Sequence, residues 1–268
     1  MATEFSKKYT EANIAPNASP YDEAVFLSLH EKLASHVASD TLATAILATI
    51  LCAQARGDAV VQLFRSVTKQ NSEEGETDIK AQFIAIREAV TIAVPFVGLP
   101  NCMPACFGLV NEVKGRGFAG GDGGGISGPR RAKLGELDYT SHGEETVSRI
   151  YRGVGNSEVR EMIQQFFPEM SYYGRTTVWG YLVGSSPTFD LKDAEILVAA
   201  VVMGLGATRQ ARSHVKCALS VGNSLELVRA TVEVARAVGA WNGRALLGGV
   251  DVGELAGELE RNLAASTT

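Results

Sequence analysis

The sequence predicts an all-α protein made of two related helical halves, and three observations carry that expectation. Its 268 residues are 46% hydrophobic but only 7% aromatic, so the core must be built from Ala, Val, Leu and Ile, which suit closely packed helices better than aromatic-rich sheets. The apolar runs Thr41–Leu51 and Leu191–Met203 are rich in Ala, lack two-residue alternation and are long for strands. Finally, segments of the first half reappear in the second.

Taken in order, residues 1–20 carry Asn13, Pro16, Asn17 and Pro20 and read as a flexible arm. A helix is predicted from about Asp22 to Ala38, with Asp22 and Glu23 at its positive end. Asp40 is placed to cap the buried helix that follows. Asp58–Thr68 is amphipathic, with Val60, Val61, Phe64 and Val67 on one side. The polar stretch Lys69–Lys80 reads as a surface loop or as the polar start of the next helix. Ala81–Val97 has a helical rhythm, with Pro95 predicting a kink or an early end. Gly98–Asn101 closes it, and Met103–Val113 is a further helix.

Residues 115–128 contain eight glycines in fourteen positions, which cannot hold a helix. They lack the Gly-Lys-Ser/Thr of a phosphate loop and follow no strand, so a flexible connector is predicted. Helices are expected again at about Gly143–Tyr151 and Asn156–Phe167. Met170–Gly184, with Tyr172, Tyr173, Trp179 and Tyr181, is the most aromatic stretch and suits core, interface or ligand packing. Thr208–Val221 is a helix ended by Gly222-Asn223-Ser224, and Ser224 caps the next one. The organisation predicted is an arm (1–20), a first repeat (21–114), a Gly-rich linker (115–142) and a second repeat (143–268).

The repeat is read from Gln54-Ala55-Arg56 and Gln210-Ala211-Arg212, 156 residues apart, a shift that sets Asp58 opposite His214. A later match, Ile86–Val90 with Val228–Val232, is 142 residues apart. The difference of 14 is close to the size of the polar insert after Thr68.

Net charge is −5 with a pI near 5.5, which offers nucleic acid no broad basic face. No run is apolar enough for a membrane span, and no secretory leader is visible. Cys52, Cys102, Cys106 and Cys217 are not spaced as a disulfide framework or a zinc site, so a reducing, cytoplasmic setting is expected.

The chemistry concentrates in the second half. A hairpin of the helices after Leu191 and Thr208 would turn Glu195 and His214 toward each other, and a carboxylate beside an imidazole can relay a proton. The same residues also have a plain structural reading, an acid near a helix start and a hydrogen-bonded core histidine.

Asp193–Gly222 resembles the repeat of the carboxymuconolactone decarboxylase-like and alkylhydroperoxidase (AhpD-like) superfamily. That pattern runs Cys-x-x-Cys-x-x-x-His-x-x-x-Ala-x-x-x-Gly, with a Glu twelve residues before the first Cys. It falls here on Glu195, His214, Ala218 and Gly222. Its two cysteines fall on Ala207 and Gln210, so the redox pair is missing. The resemblance implies an AhpD-like helical fold and a lyase or isomerase acting without metal or organic cofactor on a small oxygenated or lactone substrate. It also implies a homo-oligomer (dimer, trimer or hexamer). Glu195 and His214 would be catalytic, and Gln210, Arg209, Arg212 and Trp179 would contact substrate. The competing readings are a thiol peroxidase using Cys217 or Cys52, and a non-catalytic scaffold.

Overall fold

The computed structural model describes residues 2–70, 75–118, 126, 128–155, 157–244 and 248–265, and its regular structure is helical. A lone bridge, Leu134 to Leu137, is the one β-type pairing among the described residues. The first half comprises α1 (Ala2–Phe5) leading into a π-helical turn π1 (Ser6–Thr10), then α2 (Glu23–Ala34), α3 (Asp40–Ala53), α4 (Gly57–Gln70), α5 (Gly75–Val97) and α6 (Leu99–Gly115). Three connecting helices follow, α7 (Tyr139–Tyr151), α8 (Ser157–Phe166) and α9 (Pro168–Tyr173). The second half runs through a longer π-helix, π2 (Gly174–Val183), then α10 (Leu191–Gly204), α11 (Thr208–Ser220), α12 (Leu225–Trp241) and α13 (Val252–Ala265).

Starts are set by side chains that accept from orphan amides. Asp22 caps α2, Asp190 caps α10 and Ser224 caps α12. Ser39 rather than Asp40 caps α3, and Asp40 becomes its first residue, where its charge still faces the positive end of the dipole. α2 stops at Ala34, four residues short of the expected end. The polar stretch after Thr68 divides between the end of α4 and the start of α5, with 71–74 outside the described residues. Pro95 lies inside α5, which runs on to Val97. α6 starts at Leu99, earlier than expected, because Pro100 sits in its first turn where no amide partner is needed. α7 starts at Tyr139, within the expected linker, because the Asp138 side chain accepts from the Thr140 and Ser141 amides. Most of 115–128, with the Asn156 cap, falls outside the described residues.

The core is centred on α3 and α10, which pack against each other. Leu42 to Ala53 and Ala194 to Gly204 are buried without a break. A Cβ on Gly204 would come within 2.8 Å of the Ala53 Cβ, so the absent side chain permits the contact. α5 packs on α3 and also on α10; α12 packs on α10 and also on α3. Neither half therefore closes its core alone.

The two halves repeat in order, but in a different register from that expected. Asp40 to Leu191, Ala53 to Gly204 and Gly57 to Thr208 are each 151 residues apart. Ala55 and Gly206 share this spacing and both have positive φ, and so do Gly98 and Gly249. A shift of 156 would superpose Gln54-Ala55-Arg56, the turn after α3, on Gln210-Ala211-Arg212, which lie inside α11. One constant offset leaves no place for a net 14-residue insertion. The matching triplets therefore occupy different places in the two halves and are a coincidence of sequence. In the observed register Glu195 falls opposite Thr44 and His214 opposite Leu63, so the first half has neither group at the matching positions.

Candidate functional site

α10 and α11 form a hairpin closed by Leu205–Ala207, with Gly206 at φ 68° making the turn. It brings Glu195, one turn inside α10, against His214, midway along α11. The Glu195 Oε1 to His214 Nδ1 distance is 2.6 Å. Glu195 is 0% exposed and His214 5%. Burial pushes the Glu195 carboxyl above its ordinary range, and the attraction of His214 opposes that shift. Its second oxygen, Oε2, is buried without a hydrogen bond among the described residues.

The other ring nitrogen, Nε2, lies 3.1 Å from the Tyr151 hydroxyl, at the end of α7. Trp179 of π2 stacks over the imidazole with centroids 5.9 Å apart and a 17° interplanar angle. Tyr151 meets Trp179 edge-on at 5.6 Å. Burial holds the Tyr151 phenol well above its ordinary value, with Cys217 and Glu195 adding to the effect. The result is one hydrogen-bonded chain, Glu195–His214–Tyr151, roofed by an indole.

π2 explains how Trp179 reaches the imidazole. α7 and π2 cross with their backbones nearly touching. A Cβ on Gly143 would sit 1.9 Å from the Arg175 carbonyl oxygen, and one on Gly180 would sit 2.0 Å from that of Tyr139. Only glycine fits at either contact. The wide turn of π2 then projects Trp179 inward beside Tyr151, in keeping with the frequent placement of π-helical turns at functional sites.

On the outer side of Tyr151 and Trp179 lies a cavity of about 610 Å³ between α7, α8, α9 and π2. Its wall combines Val147, Val159, Ile163 and Met170 with Arg152, Arg160 and Arg175. Glu195 and His214 do not line it. Tyr151 and Trp179 are the members of the cluster that do.

Of the four side chains expected to contact substrate, Trp179 stacks on His214 and lines the cavity, whereas Arg209, Gln210 and Arg212 do not line it. Arg212 turns to α13, bonding the Gly249 carbonyl at 2.9 Å and pairing with Glu258 at 3.2 Å and Glu254 at 3.4 Å. Arg209 and Gln210 are exposed in the first turn of α11 and do not line the cavity. Helical geometry accounts for this: two residues turn a helix by about 200°, so Arg212 faces away from His214. Asp58, expected opposite His214, instead forms a buried pair with Arg56, whose guanidinium stacks on Trp241 at 4.2 Å.

The thiols have separate placements. Cys217 lies one turn beyond His214, and burial followed by the nearby Glu195 charge pushes its thiol well above the ordinary value. A thiol so held is a poor nucleophile. Cys52 is hydrogen-bonded to Cys102 from α6, which with burial raises it too. Glu195, His214 and Cys217 offer three donor atoms within 4.8 Å of one another, the one such group among the described residues. Within that group the Glu195 Oε1 and His214 Nδ1 atoms are hydrogen-bonded to each other at 2.6 Å.

No family model matches the chain, and no curated protein matches it.

Proposed function

We propose that the protein is a cofactor-independent acid–base catalyst, a lyase or isomerase like those of the carboxymuconolactone decarboxylase-like group, acting on a small oxygenated substrate. The observation that carries this reading is the dry Glu195–His214 pair, with Oε1 2.6 Å from Nδ1. Such a pair can take up or release one proton at the imidazole while the carboxylate stays beside it. As carboxylate and imidazolium it can return a proton to a carbanion or enolate; as carboxylate and neutral imidazole it can remove one. The spacing of Glu195, His214, Ala218 and Gly222 supports the same reading, as does the 151-residue offset, which we take as a duplication that kept its chemistry in one copy. The high-lying Cys217 thiol argues against the peroxidase alternative. A homo-oligomer forms part of the proposal.

Hydrogen exchange at carbon tests the reading across a whole class of substrates at once. A panel of small lactones and oxo acids is incubated with the protein in D2O, and loss of C–H signals next to the carbonyl is followed by NMR. Exchange is expected with at least one member. His214→Ala is expected to lower its rate by about 100-fold or more, in line with the loss of a general acid–base group. Full activity in a folded His214→Ala protein would remove the proposal.

A further inference from the structure

We propose that the cavity beside Trp179 is the ligand site, that it takes a small organic anion with a flat apolar body, and that Tyr151 is the catalytic residue that exchanges a proton with it. This rests on the acid–base reading above.

His214 has 5% exposure and does not line the cavity, so a ligand there cannot touch the imidazole. Tyr151 lines the cavity, and its hydroxyl is 3.1 Å from Nε2. Trp179, the other wall shared with the cluster, carries no acid or base. A proton leaving the Glu195–His214 pair for the cavity therefore passes through one oxygen.

The bookkeeping of that step closes. With the Nδ1 proton donated to the Glu195 carboxylate, Nε2 presents a lone pair and accepts from the Tyr151 hydroxyl. A ligand C–H or O–H gives its proton to Tyr151 Oη while the Tyr151 proton moves to Nε2. The ligand keeps the bonding pair as an anion, the phenol is restored, and imidazolium stands beside carboxylate. Run backwards, the same path delivers a proton to an anionic centre. The phenol is never required to persist as phenolate, which its burial would penalise.

The wall supplies the ligand class. Arg152, Arg160 and Arg175 line the wall with a single carboxylate, Glu144, which pairs with Arg175 at 2.7 Å, while an Arg152 N–H donates to the Ser220 carbonyl. Arg175 Nε is buried without a hydrogen bond among the described residues. Three cations against one carboxylate on the wall favour an anionic group, while Val147, Val159, Ile163, Met170 and the Trp179 indole receive an apolar body.

The test reads solvent exchange of the His214 ring N–H by NMR in histidine-labelled protein, with His214→Ala to assign it among four histidines. Tyr151→Phe keeps the ring contacts and removes the relay. It is expected to slow exchange at least about tenfold in a protein that stays folded. 4-Nitrobenzoate is expected to slow exchange in the unmodified protein saturably. Uncharged 4-nitrobenzyl alcohol should need about tenfold more, as should 4-nitrobenzoate with Arg160→Ala. Unaltered exchange in folded Tyr151→Phe overturns the relay. Equal protection by both probes, or by neither, overturns the anion site; that arm uses the unmodified chain and stands even if the variant does not fold. Loss of turnover in His214→Ala alongside an active Tyr151→Phe would discard Tyr151 and leave the acid–base reading intact.

Discussion

Glu195 is sealed from solvent, and that governs how the site responds to pH. Its folded-state carboxyl is raised above the ordinary value of 4.5 by burial, His214 only partly offsetting this. The folded chain thus holds the proton more tightly than the unfolded one. The associated stability is fully present below the unfolded-state value and is lost as pH rises through the folded-state value. Glu195→Gln, which cannot ionise, is expected to flatten that part of the stability profile, measured by urea unfolding between about pH 4 and pH 7. A profile with the same slope in both proteins would show that folding does not raise the Glu195 carboxyl above its unfolded-state value. The Glu195–His214 pair is legible in sequence because Glu195 interrupts an apolar helix, His214 stands beside Val215 and Cys217 on the next one, and a short glycine turn joins the two. Tyr151 is not, since it stands 63 residues before His214 and no local pattern marks it. Arg209, Gln210 and Arg212 are suggested by nearness in sequence, whereas the arginines at the cavity come from α7, α8 and π2 and their surrounding turns, which only the tertiary fold brings together.

At the scale of the element, π2 is the part that sequence reasoning leaves unresolved. Met170–Gly184 stands out for its aromatics, but its helical pitch is decided by the crossing with α7. Gly143 and Gly180 meet opposing carbonyls, a contact between distant segments that no local pattern announces. α13 escapes a sequence reading for a different reason: the chain after Asn242 carries only short apolar groups, and Leu255 and Leu259 acquire their burial from α11 and α12. By contrast α3 and α10 are fully readable, because burial on all sides needs a long unbroken apolar run. The π2 crossing makes a direct prediction. Gly180→Ala places a methyl where only 2.0 Å separates it from the Tyr139 carbonyl oxygen. The backbones must part, at a cost of about 1–3 kcal/mol. Thermal unfolding should shift down, and the near-ultraviolet circular dichroism of Trp179 should weaken as the indole leaves His214. Gly174→Ala, on the same π-helix but with no atom within 4 Å of an added Cβ, should leave both signals in place.

For the molecule as a whole, the repeated order of helices could suggest two domains that unfold separately, and the packing argues against it. α3 and α10 lie against each other, α5 reaches α10, and α12 reaches α3 and α2. Trp241 at the end of α12 meets Phe26 of α2 edge-on at 4.9 Å and donates to the Pro20 carbonyl at 2.9 Å. Arg131, past the Gly-rich stretch, pairs with the buried Glu88 of α5 and bonds the Leu182 carbonyl of π2 at 2.6 Å. Removing either half would expose the inner face of the other's central helix. Thermodynamically this is one cooperative unit, so unfolding is expected as one transition. The two tryptophans, Trp179 and Trp241, provide the check. In Trp241→Phe the emission reports the surroundings of Trp179 and His214 alone, and in Trp179→Phe it reports the seam between halves. Each variant shifts stability by its own amount, so each emission curve is compared with far-ultraviolet circular dichroism of the same variant. Coincident midpoints in both proteins are expected. If emission and dichroism separate by more than about 0.3 M urea in either protein, the halves unfold apart and the shared α3–α10 core is not what holds the site together.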